Sequence, residues 1–149
     1  MSAYVRKPGW FTVHVLNRAV AWLTGRGIDV RGSRVLAVRG HRSGEWRTAP
    51  VHVLTVDGER YLVAPRGHVQ WTHNMRAAGG GELRLGRTVE VFTATEVADD
   101  DKAPLLRAYL SRWNAEVGTF FKGVGPGSSD EELRRAAPDH PVFRITGTA

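Results

Sequence analysis

From Arg34 to Val97 the apolar residues follow a two-residue period, and that period excludes most folds otherwise open to the chain. Val35, Leu36, Ala37 and Val38 form a first run, and after a polar segment Val51, Val53 and Thr55 alternate with His52, Leu54 and Val56. Asp57-Gly58 marks a hairpin into Tyr61, Leu62 and Val63. A strand from Glu82 to Leu85 turns at Gly86-Arg87 into a longer one from Thr88 to Val97. A single short helical segment, Trp71 to Ala78, interrupts the run and stops at Gly79-Gly80-Gly81. Long βαβ alternation is missing and no G-x-G-x-x-G follows a strand, so a Rossmann domain is disfavoured.

Helical periods flank this region. Between Gly9 and Gly27, Trp10, Val13, Leu16, Val20 and Leu23 recur three or four apart, one stripe of an amphipathic helix. Such a stripe covers the core; Trp10, Trp22, Arg18 and Arg26 also suit a membrane interface. Asp99, Asp100 and Asp101 before Pro104 read as an N-cap cluster for a helix carrying Leu105, Leu106, Tyr109, Leu110 and Trp113. Ser128 with Glu131, or Ser129 with Glu132, fits the capping box of a further helix ended by Pro138, after which Val142, Phe143 and Ile145 supply a last strand. The order reads as α+β on an antiparallel sheet or small barrel.

The chain has 149 residues, room for one domain. Its formal charge of +6 points to an anionic partner. With no Cys, disulfides, thiolate metal sites and Cys nucleophiles are excluded, and a reducing, cytoplasmic setting is expected. Met1 to Lys7 and the broken apolar stretch after it make no signal peptide, and no run is long enough to span a bilayer. Six histidines raise the question of metal, but there is no H-E-x-x-H and no close His/carboxylate cluster, so none is expected. Ser43 is misplaced for a G-x-S-x-G nucleophile.

The most informative segment runs from Arg39 to Pro50, read as a loop between two strands. It sets Arg39, Arg42, Arg47, His41 and Ser43 against the single Glu45. Guanidinium forks and backbone amides in a Gly-containing turn suit phosphate oxygens, although a solvated basic hairpin tip is an equally good reading of charge alone. A second segment, Val63-Ala64-Pro65-Arg66-Gly67-His68 with Trp71, His73 and Asn74 after it, changes the balance. A flat cofactor ring needs close backbone approach, as Gly67 allows, and an apolar wall with a few polar groups, as Trp71 and Asn74 supply; ordinary helix packing is the plainer alternative.

The order strand, G-x-[RK]-[ST]-G-x-x-R-x-x-P, strand, hairpin, A-x-[RK]-G, W-x-x-N-[LM]-x-A resembles the nitroreductase and quinone reductase family dependent on the deazaflavin coenzyme F420, over about Val35 to Val97. That resemblance implies a split β-barrel of the FMN-binding type and an actinobacterial style of oxidoreductase that passes hydride between F420 and a quinone or nitroaromatic acceptor. It implies one domain over 1–149: an N-terminal helix (1–30), barrel core (33–98), then helices and a closing strand (99–149). By the same resemblance Arg42, Ser43 and Arg47 hold the phosphate and tail. Ala64, Pro65, Arg66, Trp71 and Asn74 surround the ring, with Gly67 beside them. His41, Thr48, Ala49, Pro50, Val51 and His52 fall in the same contacting stretches. The proton needed by the acceptor comes from solvent, with His73 and Tyr109 as further candidates. The nitroreductase subgroup lines its acceptor pocket with a C-terminal tyrosine; here no Tyr follows Tyr109, and Phe120 and Phe121 are the expected wall.

Two rivals stay open at this stage. FMN also offers a phosphate and a flat ring, so an FMN-dependent enzyme on the same barrel fits. A non-catalytic basic module could bind nucleic acid through its five Trp, but these look assigned to helix stripes and the cofactor wall, so no nucleic-acid partner is expected. A small-molecule acceptor, peripheral membrane contact through the first helix and a homodimer complete the expected partners.

Overall fold

A computed structural model describes residues 33–147. The N-terminal amphipathic helix therefore lies outside the described residues. Six strands, β1 (Ser33–Arg39), β2 (Trp46–Val56), β3 (Glu59–Val63), β4 (Gly80–Leu85), β5 (Thr88–Glu96) and β6 (Val142–Gly147), close into an antiparallel barrel in the order β1-β2-β3-β6-β5-β4. Three helices accompany them: α1 (Gln70–Ala78), α2 (Ala103–Val117) and α3 (Asp130–Ala136). This is the expected α+β split barrel. No helix among the described residues is long and apolar enough to cross a membrane.

Strand alternation divides the apolar side chains between two cores. Leu36, Val38, Val51, Leu62, Leu83, Phe92, Phe143 and Ile145 form one cluster inside the barrel, and Met75 of α1 joins it. Leu54, Val63 and Val142 point the other way, into a second cluster with Leu106, Tyr109, Leu110 and Trp113 of α2 and Leu133 of α3. The barrel is thus filled within and covered outside by the C-terminal helices. Each such buried side chain contributes roughly 1.5–3 kcal/mol relative to exposure.

Local chemistry sets the element ends. Asp57 (φ 52°) and Gly58 (φ 80°) take the left-handed conformations that a tight hairpin requires. Gly79 caps α1 at φ 73°, its N–H donating to the Met75 carbonyl at 2.8 Å. Gly80 and Gly81 begin β4 where no side chain fits: an added Cβ would meet the Phe92 carbonyl oxygen at 2.3 Å and that of Ala37 at 2.4 Å, respectively.

Two sequence expectations are corrected here. The segment Arg39 to Pro50 is not all loop: β2 begins at Trp46, and Trp46 to Pro50 pair with Arg39 to Val35. Pro50 is tolerated because β2 pairs with β3 only from Val53 onward, which leaves one side of the strand open at the proline. The three aspartates do not cap α2. Asp99–Asp101 form a separate 3-10 turn, Lys102 occupies the N-cap position without a side-chain cap, and the Asp99 carboxylate instead pairs with the buried Lys102 ammonium at 2.7 Å. Of the two capping boxes, Ser129 with Glu132 forms.

Candidate functional site

The basic loop is a hairpin tip of Gly40 to Glu45 joining β1 to β2. Its ends are tied by the Gly40 N–H to the Glu45 carbonyl at 2.7 Å and the Gly44 N–H to the Gly40 carbonyl at 2.9 Å. Gly44 sits at φ 74°. The Ser43 hydroxyl accepts from the Glu45 N–H at 3.1 Å, which leaves its own proton to donate. Arg42 is exposed, and the Arg47 guanidinium approaches Glu45 only at 3.9 Å with both side chains exposed. Such a contact is weak and easily displaced. Beside them Trp46 is flanked by Arg39, 4.3 Å from its ring centroid, and Arg84 at 5.3 Å.

Asn74 anchors this loop to α1. Its Oδ1 accepts from the His41 backbone N–H at 3.0 Å and from Gln70 Nε2 at 3.2 Å, and lies 2.6 Å from His41 Nδ1. The backbone N–H is an unambiguous donor and fixes Oδ1 as the acceptor, while Gln70 Nε2 also lies 3.3 Å from His41 Nδ1. The other side of the amide, Nδ2, is buried and has no partner. Asn74 is fully buried, so its amide belongs to the interior. Thr48 Oγ1 is the second such atom; these two are the only buried side-chain polar atoms without a partner among the described residues.

Strand geometry separates the rest of the expected stretch. Residues opposite one another in the ladder share a face, so Arg47, Ala49 and Val51 side with Val38, Leu36 and Arg34. Thr48, Pro50 and His52 take the outer face. His52 is already engaged there, stacked on Trp113 at 4.7 Å and 10° and bonded to Ser33 Oγ at 3.3 Å. Val51 and Ala64 are buried, and the Ala64 backbone is itself engaged, its N–H donating to the Pro141 carbonyl and its carbonyl accepting from the Gly67 N–H. Trp71 is half-buried and tilted against Phe143 at 5.9 Å.

Pro65, Arg66 and Gly67 lie on a separate feature, an open cavity of about 600 Å³ between the end of β3 and the C-terminal segment. Phe120, Lys122, Arg135 and His140 line its other side. Gly67 is at φ 95°, but the close approach it permits is to protein: an added Cβ would lie 3.2 Å from the Asp139 carbonyl oxygen. His68 bonds the Pro138 carbonyl at 2.8 Å. His140 is buried, stacked on Phe121 at 4.0 Å, with Nδ1 3.4 Å from the Ala64 carbonyl. Burial pushes its pKa down, so it is neutral near pH 7. Phe120 reaches the cavity and Phe121 stands behind it in the core.

The loop and the cavity share no lining residue, yet the segment Ala64 to Asn74 runs from one to the other. Of the proton-donor candidates, His73 is exposed with its ring 6.4 Å from that of His41. Tyr109 lies in the core, 2% exposed, and burial pushes its phenol far up. Sequence reading missed Gln70, Lys122, Arg135 and His140. They come from segments brought together only by the fold, and no local spacing marks them.

The family described as F420H(2)-dependent quinone reductase matches residues 10–121. No curated protein matches the chain. Among solved structures, the chain is similar to an F420-H2 dependent reductase, FDR-A, at TM-score 0.53 and 20% identity, covering 78% of this chain and 95% of that one. It is similar to a chain described as a domain-swapped dimer at TM-score 0.54 and 19% identity, covering 94% and 100%. A FAD-binding protein from Mesorhizobium loti follows at TM-score 0.50 and 17% identity, covering 87% and 90%. These structural likenesses establish the fold.

Proposed function

The chain belongs to the F420H(2)-dependent quinone reductase family, and from that premise we propose that it reduces a quinone-class acceptor, with nitroaromatics as a secondary class, at the cavity beside Pro65 and Phe120. Its coenzyme is F420 and it is an F420-dependent oxidoreductase. The observation that carries the residue-level reading is the pair of orphaned atoms. Thr48 Oγ1 and Asn74 Nδ2 are buried without partners, and both stand next to the arginine-rich hairpin. An unpaired buried donor costs about 1–3 kcal/mol, a cost that a bound polar ligand removes.

On this reading Arg42, Arg47 and the Ser43 hydroxyl hold the phosphate and acidic tail, through charge-assisted bonds that the exposed Arg47–Glu45 contact does not obstruct. Asn74 holds the hairpin in place with Oδ1 and offers Nδ2 to the ring. Pro65, Arg66 and Gly67 meet the ring where it borders the cavity. When bound, the reduced deazaflavin supplies a hydride, two electrons with one proton, and a second proton from solvent completes the hydroquinone. His140 is neutral and stacked, so it shapes the cavity rather than giving up a proton. The proposal takes 1–149 as one domain working in the cytoplasm, with peripheral membrane contact through the residues before Ser33 and a homodimer as its assembly.

Trp46, next to Arg47, provides the test. Saturable quenching of tryptophan fluorescence by F420 but not FMN, followed by oxidation of reduced F420 with a quinone, is the expected result. Tight FMN binding instead would transfer the reading to a flavin enzyme, and no response to either would leave the binding module.

A further inference from the structure

We propose that Arg39 is a positioning residue for the coenzyme phosphate, aiming the Ser43 hydroxyl by way of Trp46 and the Gly44–Glu45 peptide; this rests on the coenzyme site proposed above. Arg39 Nη1 donates to the Gly44 carbonyl at 3.0 Å. That carbonyl and the Glu45 N–H belong to one planar peptide and point in opposite directions, so a bond that fixes the first aims the second. The Glu45 N–H donates to Ser43 Oγ at 3.1 Å. The hydroxyl accepts there and keeps its proton for a phosphate oxygen. Gly40 leaves the space this needs, since an added Cβ would lie 2.9 Å from Ser43 Oγ.

Arg39 is itself held by a ring. Its guanidinium lies 4.3 Å from the centroid of Trp46, its cross-strand partner at the end of the β1–β2 ladder. Arg84 of β4 lies over the same ring at 5.3 Å, and Glu82 accepts from Arg84 Nε at 3.0 Å and from its Nη2 at 2.9 Å. The hairpin tip is thereby braced on the barrel through β4. An exposed arginine bonded to a single carbonyl would sample many rotamers, whereas a planar guanidinium laid on an indole gives up that freedom before any ligand arrives. The fork of Arg39 and its face are both engaged within the protein, which assigns it to supporting the hairpin while Arg42 and Arg47 meet the phosphate.

Calorimetric titration with two ligands tests this: F420, and the deazaflavin ring with its ribityl chain but neither phosphate nor tail. Arg39→Gln and Trp46→Leu, the second of which alters no charge, should each weaken F420 about three- to tenfold and leave the ring fragment unchanged. Arg39→Lys restores the charge without the planar face, so it should stay within about twofold of Arg39→Gln. The double variant should bind within about twofold of either single one, and in a Ser43→Ala background Trp46→Leu should change F420 affinity by less than about twofold. Full affinity in Arg39→Lys, additive losses in the double variant, or equal loss for both ligands would overturn the proposal. If Ser43→Ala weakens F420 but Trp46→Leu does not, only the positioning role fails. If Ser43→Ala and the Arg42→Ala/Arg47→Ala variant both bind F420 as the parent does, the coenzyme reading of the hairpin fails and the positioning role with it.

Discussion

Asn74 divides one amide between two tasks, and the division can be tested atom by atom. Oδ1 fastens the hairpin through the His41 N–H, while Nδ2 is buried and unpaired. Asn74→Asp keeps the acceptor and removes the donor, so the hairpin should stay attached while F420 binds about 1–2 kcal/mol more weakly, measured by fluorescence titration. Full affinity in that variant would remove Nδ2 from the site. Arg42→Ala with Arg47→Ala should weaken coenzyme binding by at least about 2 kcal/mol, since each guanidinium gives up charge-assisted bonds. Unchanged affinity in the folded double variant would show the hairpin to be a solvated tip. At this scale the sequence was informative about residue type and poor about direction. Arg42, Ser43 and Asn74 stood out by chemistry and spacing. That Thr48 and Ala49 face opposite sides of a strand, or that Ala64 is buried, depends on a ladder register that spacing alone does not set.

Among the elements, β4 enters the barrel through two residues without side chains, Gly80 and Gly81, where β5 and β1 approach most closely. Gly81 faces Phe92 across one ladder, and its own Cβ position is filled by the Ala37 carbonyl oxygen across the other. That backbone atom cannot give way as a flexible side chain would. Gly81→Ala should therefore destabilise the fold by about 1–3 kcal/mol or more, read from chemical denaturation; Gly127→Ala, which meets open space, is the matched control for adding a methyl group without a clash. A Gly81→Ala protein as stable as the parent would mean that β4 shifts freely. The glycine triplet was legible as a helix stop, and Gly79 is one. Its continuation as strand-closing glycines was not, because the atoms excluding a side chain belong to β1 and β5, distant in sequence. The capping box of Ser129 and Glu132 was legible for the opposite reason: both partners lie within one turn. The aspartate run misled because the same composition caps a helix or, as here, ties down a buried lysine in the turn before it.

For the whole molecule, acid should undo the cavity before it undoes the barrel. Burial holds the His140 imidazole below its ordinary value of 6.5; Lys102 pushes the same way, while bonds to Ala64 and Pro65 and the charge of Asp139 act against it. The unfolded chain therefore takes up this proton first, and the stability His140 contributes is intact above about pH 6.5 and declines as pH falls through its folded value. His140 connects the Asp139 turn to the Ala64 carbonyl and stacks on Phe121, so what loosens is the cavity wall. The barrel's own acid-sensitive contacts begin to be lost from a lower ordinary value. Arg60 of β3 reaches past β6 to Glu90 of β5, its Nη1 donating to Oε1 at 2.8 Å, and Arg76 of α1 holds Glu96 at 2.8 Å. These partners keep both carboxyls below their ordinary 4.5, so their contribution is intact above that value and is lost only as pH falls through the folded ones. Both pairs are partly exposed, which makes the second stage salt-sensitive and shallow. Acceptor binding should accordingly begin to fall as pH drops below about 6.5 while far-UV circular dichroism still reports an intact barrel. His140→Phe keeps a ring on Phe121 and cannot titrate, so it should flatten the first stage and leave the second in place. If the variant loses acceptor binding over the same interval as the parent, the acid-sensitive group in the cavity is not His140 and the order of the two stages has another cause.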